Sequence, residues 1–188
     1  MKLLRSLYLN DRLFWLSGTI AVLFILCFIV GDYVIIPKIL FFILLSLIFT
    51  DLILLFRARK GLSGERIAPD RLSNGDENEI DINIDNHYIF PVTLRVFDEI
   101  PHQFQRRDLE FDEKLKAGER KDIIYFLRPV KRGEYSFGAV NILASSPLKI
   151  VSRRFRFSAD KLVPVYPSYL QMRKYELLAI SNRLTEVG

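Results

Sequence analysis

Three polar residues at alternate positions, Asp81, Asn83 and Asp85, match the start of a calcium-binding loop, D-x-N-x-D. Such a loop also needs glycine at its sixth position for a sharp turn and a bidentate glutamate at its twelfth. Here the sixth position is Asn86 and the twelfth is Val92. Isoleucine separates the polar residues, and this alternation is typical of a half-buried strand. We therefore predict a strand and no metal site.

No other group of reactive residues has the spacing of a catalytic or cofactor site. The two histidines, His87 and His102, have neither a cysteine partner nor a second histidine three or four residues away, so the zinc pattern is missing. The serine-hydrolase elbow, the Walker phosphate loop and the dinucleotide-binding glycine pattern are also missing. We expect no catalytic residue, no cofactor, no metal ligand and no enzyme activity.

Two strongly apolar stretches, residues 13–30 and 39–56, dominate the start of the chain. A helix of 18 residues is about 27 Å long, which nearly matches a hydrocarbon core of about 30 Å. A soluble core helix of this length normally has a polar face. A cleaved signal peptide is the alternative for the first stretch, but no small-residue cleavage site follows and a second stretch comes next. The pattern predicts a transmembrane helical hairpin.

Flanking cations predict the orientation of this hairpin. The segment between the spans offers only Lys38, whereas cations cluster before the first span and after the second, at Lys2, Arg5, Arg12, Arg57, Arg59, Lys60 and Arg66. Lys and Arg accumulate on the cytoplasmic side of membranes, so we expect both termini to be cytoplasmic. The only cysteine, Cys27, lies within the first span, so no intrachain disulfide can form, which fits a reducing cytosol.

Asp51 is the one carboxylate inside a predicted span. Ionisable groups in spans are functional candidates because a charge in lipid is costly. In an antiparallel hairpin we expect Asp51 at the depth of Ser17, in a small polar seam of hydroxyl groups from Ser17, Thr19, Ser46 and Thr50. The alternative, which we favour, is that Asp51 reaches the headgroup level or pairs with Arg12 or Arg57. Two helices alone enclose no transport pathway.

Beyond residue 60 the apolar residues recur at every second position, as in half-buried strands. The predicted strands, separated by turn residues, are 65–68, 79–85, 92–96, 109–115, 122–128, 134–143, 148–157 and 161–166. This number and spacing predict an immunoglobulin-like antiparallel β-sandwich over residues 61–167. Residues 1–60 then form a basic segment and the two-helix anchor. Ser168 can cap a short amphipathic C-terminal helix over residues 168–188.

The charge balance limits the choice of partners. The net charge is +5, and the cations beside the spans account for much of it. A basic segment beside a membrane is attracted to anionic lipid. No recognition-helix pattern and no aromatic–glycine RNA signature is present, so we expect a lipid bilayer and no nucleic acid as partner.

The most specific local pattern, R-G-E-Y-S-F-G at residues 132–138, predicts a β-hairpin. Gly133 can adopt the positive φ that a tight reversal needs. Tyr135 and Phe137 would project to one face, and Gly138 would mark a bulge or a close backbone approach. A second short pattern, S-S-P-L, follows at residues 145–148.

With these residues in view, the chain resembles the N-terminal part of the "domain of unknown function 58" family, bacterial membrane proteins often encoded beside MoxR-type AAA+ ATPases. The resemblance rests on the hairpin of spans, the sandwich, R-G-x-Y-x-x-G at residues 132–138 and S-x-P-L at residues 145–148. Family members usually have an acidic residue where Ser146 precedes the proline. The family's von Willebrand factor A-like module, with its metal site, would follow Gly188, so no metal ligand is carried over.

Three hypotheses of function follow. A binding-type fold on a membrane anchor without reactive residues predicts a multi-pass, non-catalytic scaffold or adaptor of the bacterial inner membrane, and the resemblance implies that its protein partners are a MoxR-type ATPase and von Willebrand factor A-like proteins. The alternative is the anchor and accessory domain of an enzyme whose catalytic part lies beyond Gly188. The third, an outward-facing ligand-binding sandwich, would need the opposite topology, against the seven flanking cations. Neither the client nor the oligomeric state follows from the sequence.

Overall fold

A computed structural model describes residues 6–31, 33–58, 60–106, 109–158 and 160–168. Within these ranges two long helices, α1 (Asp11–Val30) and α2 (Ile35–Arg57), precede a β-rich region that a short 3-10 turn, His102–Phe104, interrupts. The strands are β1 (Leu7–Leu9), β2 (Leu62–Ile67), β3 (Leu72–Ser73), β4 (Asn78–Asn86), β5 (Val92–Asp98), β6 (Glu110–Leu115), β7 (Arg120–Leu127), β8 (Gly133–Phe137), β9 (Val140–Ser145), β10 (Val151–Phe157) and β11 (Lys161–Tyr166). Apart from Ser168, the predicted C-terminal helix lies outside the described residues.

The two helices coincide with the predicted spans and begin slightly earlier. Helix α1 ends at Gly31, whose backbone has a φ of +88° and whose N–H donates to the carbonyl of Cys27 at 3.0 Å. No side chain of α1 is buried, and large apolar side chains such as Trp15 and Phe28 lie on its surface. Because an apolar surface of this extent is unfavourable in water, both helices are candidate membrane spans.

The strands form three sheets around one core. Sheet A has the order β1-β10-β9-β5-β6, sheet B has β2-β4-β7 and sheet C has β3-β11-β8; all pairs are antiparallel except β3 with β11. The alternation predicted for residues 79–85 is confirmed, since Ile80, Ile82 and Ile84 of β4 are fully buried in this core. The architecture is therefore a layered β-sandwich that follows two candidate spans.

The predicted single strand over residues 134–143 is wrong. The structure has two strands there, β8 in sheet C and β9 in sheet A, and the chain changes sheets at Gly138. Gly138 donates its N–H to the carbonyl of Glu99 at 2.8 Å, and a Cβ built on it would lie 2.6 Å from Oε2 of Glu99. The predicted close backbone approach at Gly138 is thus confirmed, and it explains where the strand breaks.

The predicted hairpin at residues 132–138 is also wrong. Strand β7 pairs with β4 and strand β8 pairs with β11, so the two strands that flank Arg132 lie in different sheets. Gly133 does adopt a positive φ of +137°. At this residue the chain enters sheet C after leaving sheet B. Tyr135 and Phe137, which follow, are buried in the core.

Strand β1 extends the sandwich into the segment assigned to the anchor. Leu7–Leu9 pairs with β10, with Tyr8 opposite Ser152. Residues 7–9, which precede the first helix, therefore form the edge strand of sheet A.

A buried polar cluster joins sheets A and B. Nη1 of Arg66, on β2, lies 2.6 Å from Oδ1 of Asp98 at the end of β5, and both side chains are almost completely buried. Arg66 also donates to the carbonyl of Gly138 at 2.9 Å, and Tyr125 of β7 donates its hydroxyl to Asp98. Burial raises the pKa of Asp98, while the neighbouring Arg66 and the Tyr125 hydrogen bond act to lower it. The pair thus keeps a carboxylate inside the sandwich.

We expect Arg66→Met to destabilise the fold by about 3–5 kcal/mol at neutral pH, because it leaves the charge of Asp98 buried without a partner. The loss of the Arg66 guanidinium also raises the pKa of Asp98 further. The folded state of the variant therefore binds more protons than its unfolded state. Stability of this variant should therefore increase as the pH falls from about 7 to about 5, and decrease as the pH rises through the raised pKa. Denaturant unfolding in detergent measures both effects.

The control is the double variant Arg66→Met with Asp98→Asn, which has no carboxylate to titrate in the cluster. If the single and the double variant respond equally to pH, Asp98 is not the group responsible.

Candidate functional site

The most unusual polar arrangement in the structure connects the helices to the sandwich, and we call it the junction. Its side chains are those of Asn10, Asp51, Tyr88 and Arg153, which hold the helix ends against β10 and its preceding turn.

Asp51 of α2 is completely buried and binds the start of β10. Its Oδ2 accepts the N–H groups of Ile150 at 3.1 Å and Val151 at 3.0 Å. The turn of residues 146–149 presents these two N–H groups, since Lys149 has a φ of +55° and the Ser146 hydroxyl accepts the N–H of Leu148 at 3.0 Å. Backbone N–H groups are effective partners for a buried carboxylate. Asp51 therefore anchors the sandwich to the helix pair.

The polar seam predicted around Asp51 does not form. The hydroxyl groups of Ser17, Thr19 and Thr50 each donate to a carbonyl of their own helix, at 3.0, 2.8 and 2.8 Å. Such back-bonding is the usual outcome for Ser and Thr inside helices. The alternative pairing with Arg12 or Arg57 is not observed either, because no ion pair of Asp51 occurs within the described ranges.

The end of α2 belongs to the sandwich. Nη1 of Arg153 donates to the carbonyls of Leu55 and Ala58, at 2.7 and 3.0 Å, and the hydroxyl of Tyr88 donates to Leu55 at 2.9 Å. The last carbonyls of a helix need such partners, and a cation there complements the helix dipole. Leu55 is fully buried in the core of the sandwich. Part of the predicted span therefore packs on the sandwich, since Asp51 and Leu55 are completely buried while Ile53 between them is exposed.

The start of α1 is held by the same strand. Asn10 donates its N–H to the carbonyl of Ile150 at 3.1 Å, and its Oδ1 accepts the hydroxyl of Ser152 at 2.5 Å. Ser145 and Ser152 share a further hydrogen bond of 2.8 Å. Both helices are thus attached to residues 150–153 at the start of β10, α1 through the residue that precedes it and α2 through Asp51 and its last carbonyls.

A second feature is the outer face of sheet B, which we call the acidic face. It consists of the outward side chains of β2, β4 and β7, namely Ser63, Glu65, Ile67, Glu79, Asp81, Asn83, Asp85, Arg120, Asp122, Ile124 and Phe126. Among these residues the one cation, Arg120, pairs with Asp85 and Asp122 at 3.9 and 3.4 Å. Burial and the carboxylates of Asp122 and Glu79 raise the pKa of Asp81. Ile124 and Phe126 are 54% and 50% exposed. Apolar groups beside clustered carboxylates are typical of a protein-binding surface.

The residues of the calcium-like pattern lie on this face. Asn83, with its amide oriented to suit its neighbours, donates to Asp122 at 2.6 Å and to Asp81 at 3.1 Å. His87 is linked to this pattern through Ser63, whose hydroxyl lies 2.8 Å from Nε2 of His87 and donates to Oδ2 of Asp85 at 3.2 Å. Among the described residues, no group of three or more His, Cys, Asp or Glu side chains is arranged to hold a metal ion.

The fold and the junction define a β-sandwich protein attached to two candidate membrane spans. No protein-family model matches the sequence, and no curated protein matches it. Among solved structures, the chain is similar to the CARDB domain of the PF1109 protein from Pyrococcus furiosus, solved with di-metal ions, at 17% identity and a TM-score of 0.38 over 56% of this chain and 87% of that chain. It is also similar to the ASH/PapD-like domain of human CEP192, at 12% identity and a TM-score of 0.43 over 57% and 87%. A third similar structure is a β-glucosidase from Listeria innocua, at 16% identity and a TM-score of 0.33 over 57% of this chain and 16% of that chain.

Sequence reasoning identified Asp51 but missed Asn10, Tyr88 and Arg153. The signal that could have found Arg153 is the strand β10 itself, which carries cations in an otherwise apolar alternation. Asn10, directly before the first span, is a typical residue for a helix N-terminus, although here it bonds to the sandwich.

We expect Asp51→Leu to loosen the junction, because it leaves the buried N–H groups of Ile150 and Val151 without an acceptor. A loss of about 3 kcal/mol corresponds to about 100-fold faster hydrogen exchange at these two amides, provided that exchange proceeds through local opening. Asp51→Asn should have a smaller effect, because its side-chain carbonyl can still accept.

Thr50→Val is the matched control, since it removes a polar group from the adjacent position without touching the junction. Equal exchange rates in the wild type and Asp51→Leu would show that the carboxylate does not hold β10.

Proposed function

We propose that this protein is a membrane-anchored, non-catalytic scaffold that presents its β-sandwich at the cytoplasmic face of the bacterial inner membrane for protein–protein interaction. The observation that carries the proposal is the junction, which fixes the sandwich on the helix pair. The connection between α2 and β2 is also closely packed against the sandwich. A Cβ built on Gly61, in this connection, would lie only 2.2 Å from Cζ of Tyr88. A sandwich held in this way keeps one orientation toward its partners.

The acidic face is the surface that we assign to the partner. Its exposed Ile124 and Phe126 supply apolar contact area, and Glu79 and Asp81 supply negative charge. Electrostatic complementarity selects a protein whose contact surface is basic around an apolar centre. By the resemblance to the "domain of unknown function 58" family, this partner is a MoxR-type AAA+ ATPase, with von Willebrand factor A-like proteins as further components.

The cytoplasmic orientation rests on the flanking cations. Arg12 precedes the first span and Arg57 and Lys60 follow the second, whereas Lys38 stands alone on the other side. The bias of Lys and Arg toward the cytoplasm sets the orientation of short hairpins.

In a Cys27→Ser background, Val130→Cys should be protected from a membrane-impermeant thiol reagent in intact cells and labelled after permeabilisation. Tyr33→Cys, between the spans, should be labelled in intact cells. Both side chains are largely exposed, at 71% and 59%, so accessibility to the reagent depends on the side of the membrane. The reverse labelling pattern would place the sandwich outside and refute the orientation.

We expect the full-length protein in detergent to bind the purified MoxR-type ATPase from the same organism. Ile124→Ser with Phe126→Ser should weaken this binding at least about tenfold, as expected for the loss of central apolar contacts. Val130→Ser is the matched control, because it removes an exposed apolar side chain outside the acidic face.

The two possible failures of this experiment have different meanings. If the wild type does not bind the ATPase, the partner is wrong. If the wild type binds and the double variant binds equally well, the partner is right but the acidic face is not its contact surface.

A further inference from the structure

A groove of about 380 Å³ lies between the start of α1 and the outer face of sheet A. Its floor is a row of hydroxyl groups on neighbouring strands, from Tyr8, Ser152, Ser145 and Thr93, which the register of sheet A places side by side. Asn10 is hydrogen-bonded to both serines at one end of this floor. The groove is therefore a formed, polar cavity.

Two cations at the rim are available to a ligand. Arg12 and Lys149 line the groove, and neither has an ion pair with any residue that the structure describes. The guanidinium of Arg12 has only a long contact of 3.5 Å to the carbonyl of Leu148. The third cation, Arg95, is bound to Glu110 and Asp112, at 3.0 and 3.4 Å. The groove also contains two carboxylates, that of Asp112, which is paired with Arg95, and that of Asp11.

The position of the groove relative to the spans is fixed by the junction. Arg12 lies in the first turn of α1, immediately before the apolar run that begins at Leu13. Lys149 precedes Ile150, whose N–H is bonded to Asp51 of the other span. The rim of the groove therefore lies where each apolar helix surface ends, which is the depth of lipid headgroups.

From these observations we infer that the groove binds the headgroup of an anionic phospholipid in the leaflet that faces the sandwich. Arg12 and Lys149 would contact the phosphate oxygens. The hydroxyl of Thr93 would donate to the phosphate or the glycerol headgroup, whereas the hydroxyl protons of Ser145 and Ser152 are already used within the network with Asn10. Basic pockets beside membrane spans are suited to such lipids. The acyl chains would follow the exposed apolar surface of α1, where Phe14 and Trp15 begin the span.

The test uses the full chain reconstituted in phosphatidylcholine vesicles that contain a trace of spin-labelled phosphatidylglycerol or, separately, spin-labelled phosphatidylcholine. The motionally restricted fraction of each labelled lipid gives its relative association constant. We expect the wild type to prefer phosphatidylglycerol, and Arg12→Gln or Lys149→Gln to reduce this preference about fivefold each, as expected for the loss of one direct contact between a cation and the phosphate.

Arg57→Gln is the matched control, because it removes an exposed cation at the end of α2 that does not line the groove. The preference should change less than about twofold in this variant. An equal loss in Arg57→Gln and Arg12→Gln would overturn the proposal, since it would show a diffuse attraction to the membrane surface. An unchanged preference in Arg12→Gln combined with Lys149→Gln would also overturn it.

A second arm separates the lipid from a free phosphate compound. Soluble glycerol phosphate, added at millimolar concentration, should leave the restricted fraction of phosphatidylglycerol unchanged, because it lacks the acyl chains that α1 would hold. Complete displacement of the lipid by glycerol phosphate would show that the groove takes a soluble phosphate ester and would refute a lipid site.

Discussion

A carboxylate on an apolar helix has to find hydrogen-bond donors, and this constraint determines how the two parts of the protein meet. Asp51 finds its donors in the N–H groups of Ile150 and Val151. Donors and acceptors left without partners at this buried position would cost about 1–3 kcal/mol each. The turn of residues 146–149 must therefore reach the helix, and β10 must begin where it does. From this follow the attachment of β1, the placement of Arg153 at the end of α2 and the direction in which the sandwich faces.

The sequence predicted elements whose pattern is local and failed where the pattern depends on distant partners. Alternation was sufficient for β4, because every second residue is an isoleucine that enters the core. It could not separate β8 from β9, because Tyr135 and Phe137 continue the same alternation up to the break at Gly138. That break is caused by Glu99, a residue remote in sequence. The pairing of β7 with β4 instead of β8 is likewise a property of the whole core.

In the candidate site, the sequence could predict the carboxylate of Asp51 but not the groups that it binds. A lone Asp in an apolar span indicates that a partner exists, but backbone N–H groups occur at nearly every residue and leave no sign in the sequence. The partner of Asp51 was therefore sought among the hydroxyl groups of the spans and the flanking cations, and both expectations were wrong. Arg153 gives a partial signal, because it is a cation at an apolar position of β10, but the carbonyls of Leu55 and Ala58 that accept from it are remote in sequence.

The junction also separates two surfaces of opposite character. The outer face of sheet A carries hydroxyl groups beside two cations, Arg12 of α1 and Lys149 of the turn before β10, whereas sheet B carries Asp81 and Phe126 on its own outer face. Lys149 stands next to the amides that bind Asp51, so a phosphate held by Lys149 would restrain the same turn that the carboxylate restrains. If the turn is already rigid, the binding free energies of the two ligands simply add. If the turn opens locally, the ligand that binds first lowers the entropy cost of binding the second. Lipid binding at sheet A would then stabilise the orientation in which sheet B meets its partner.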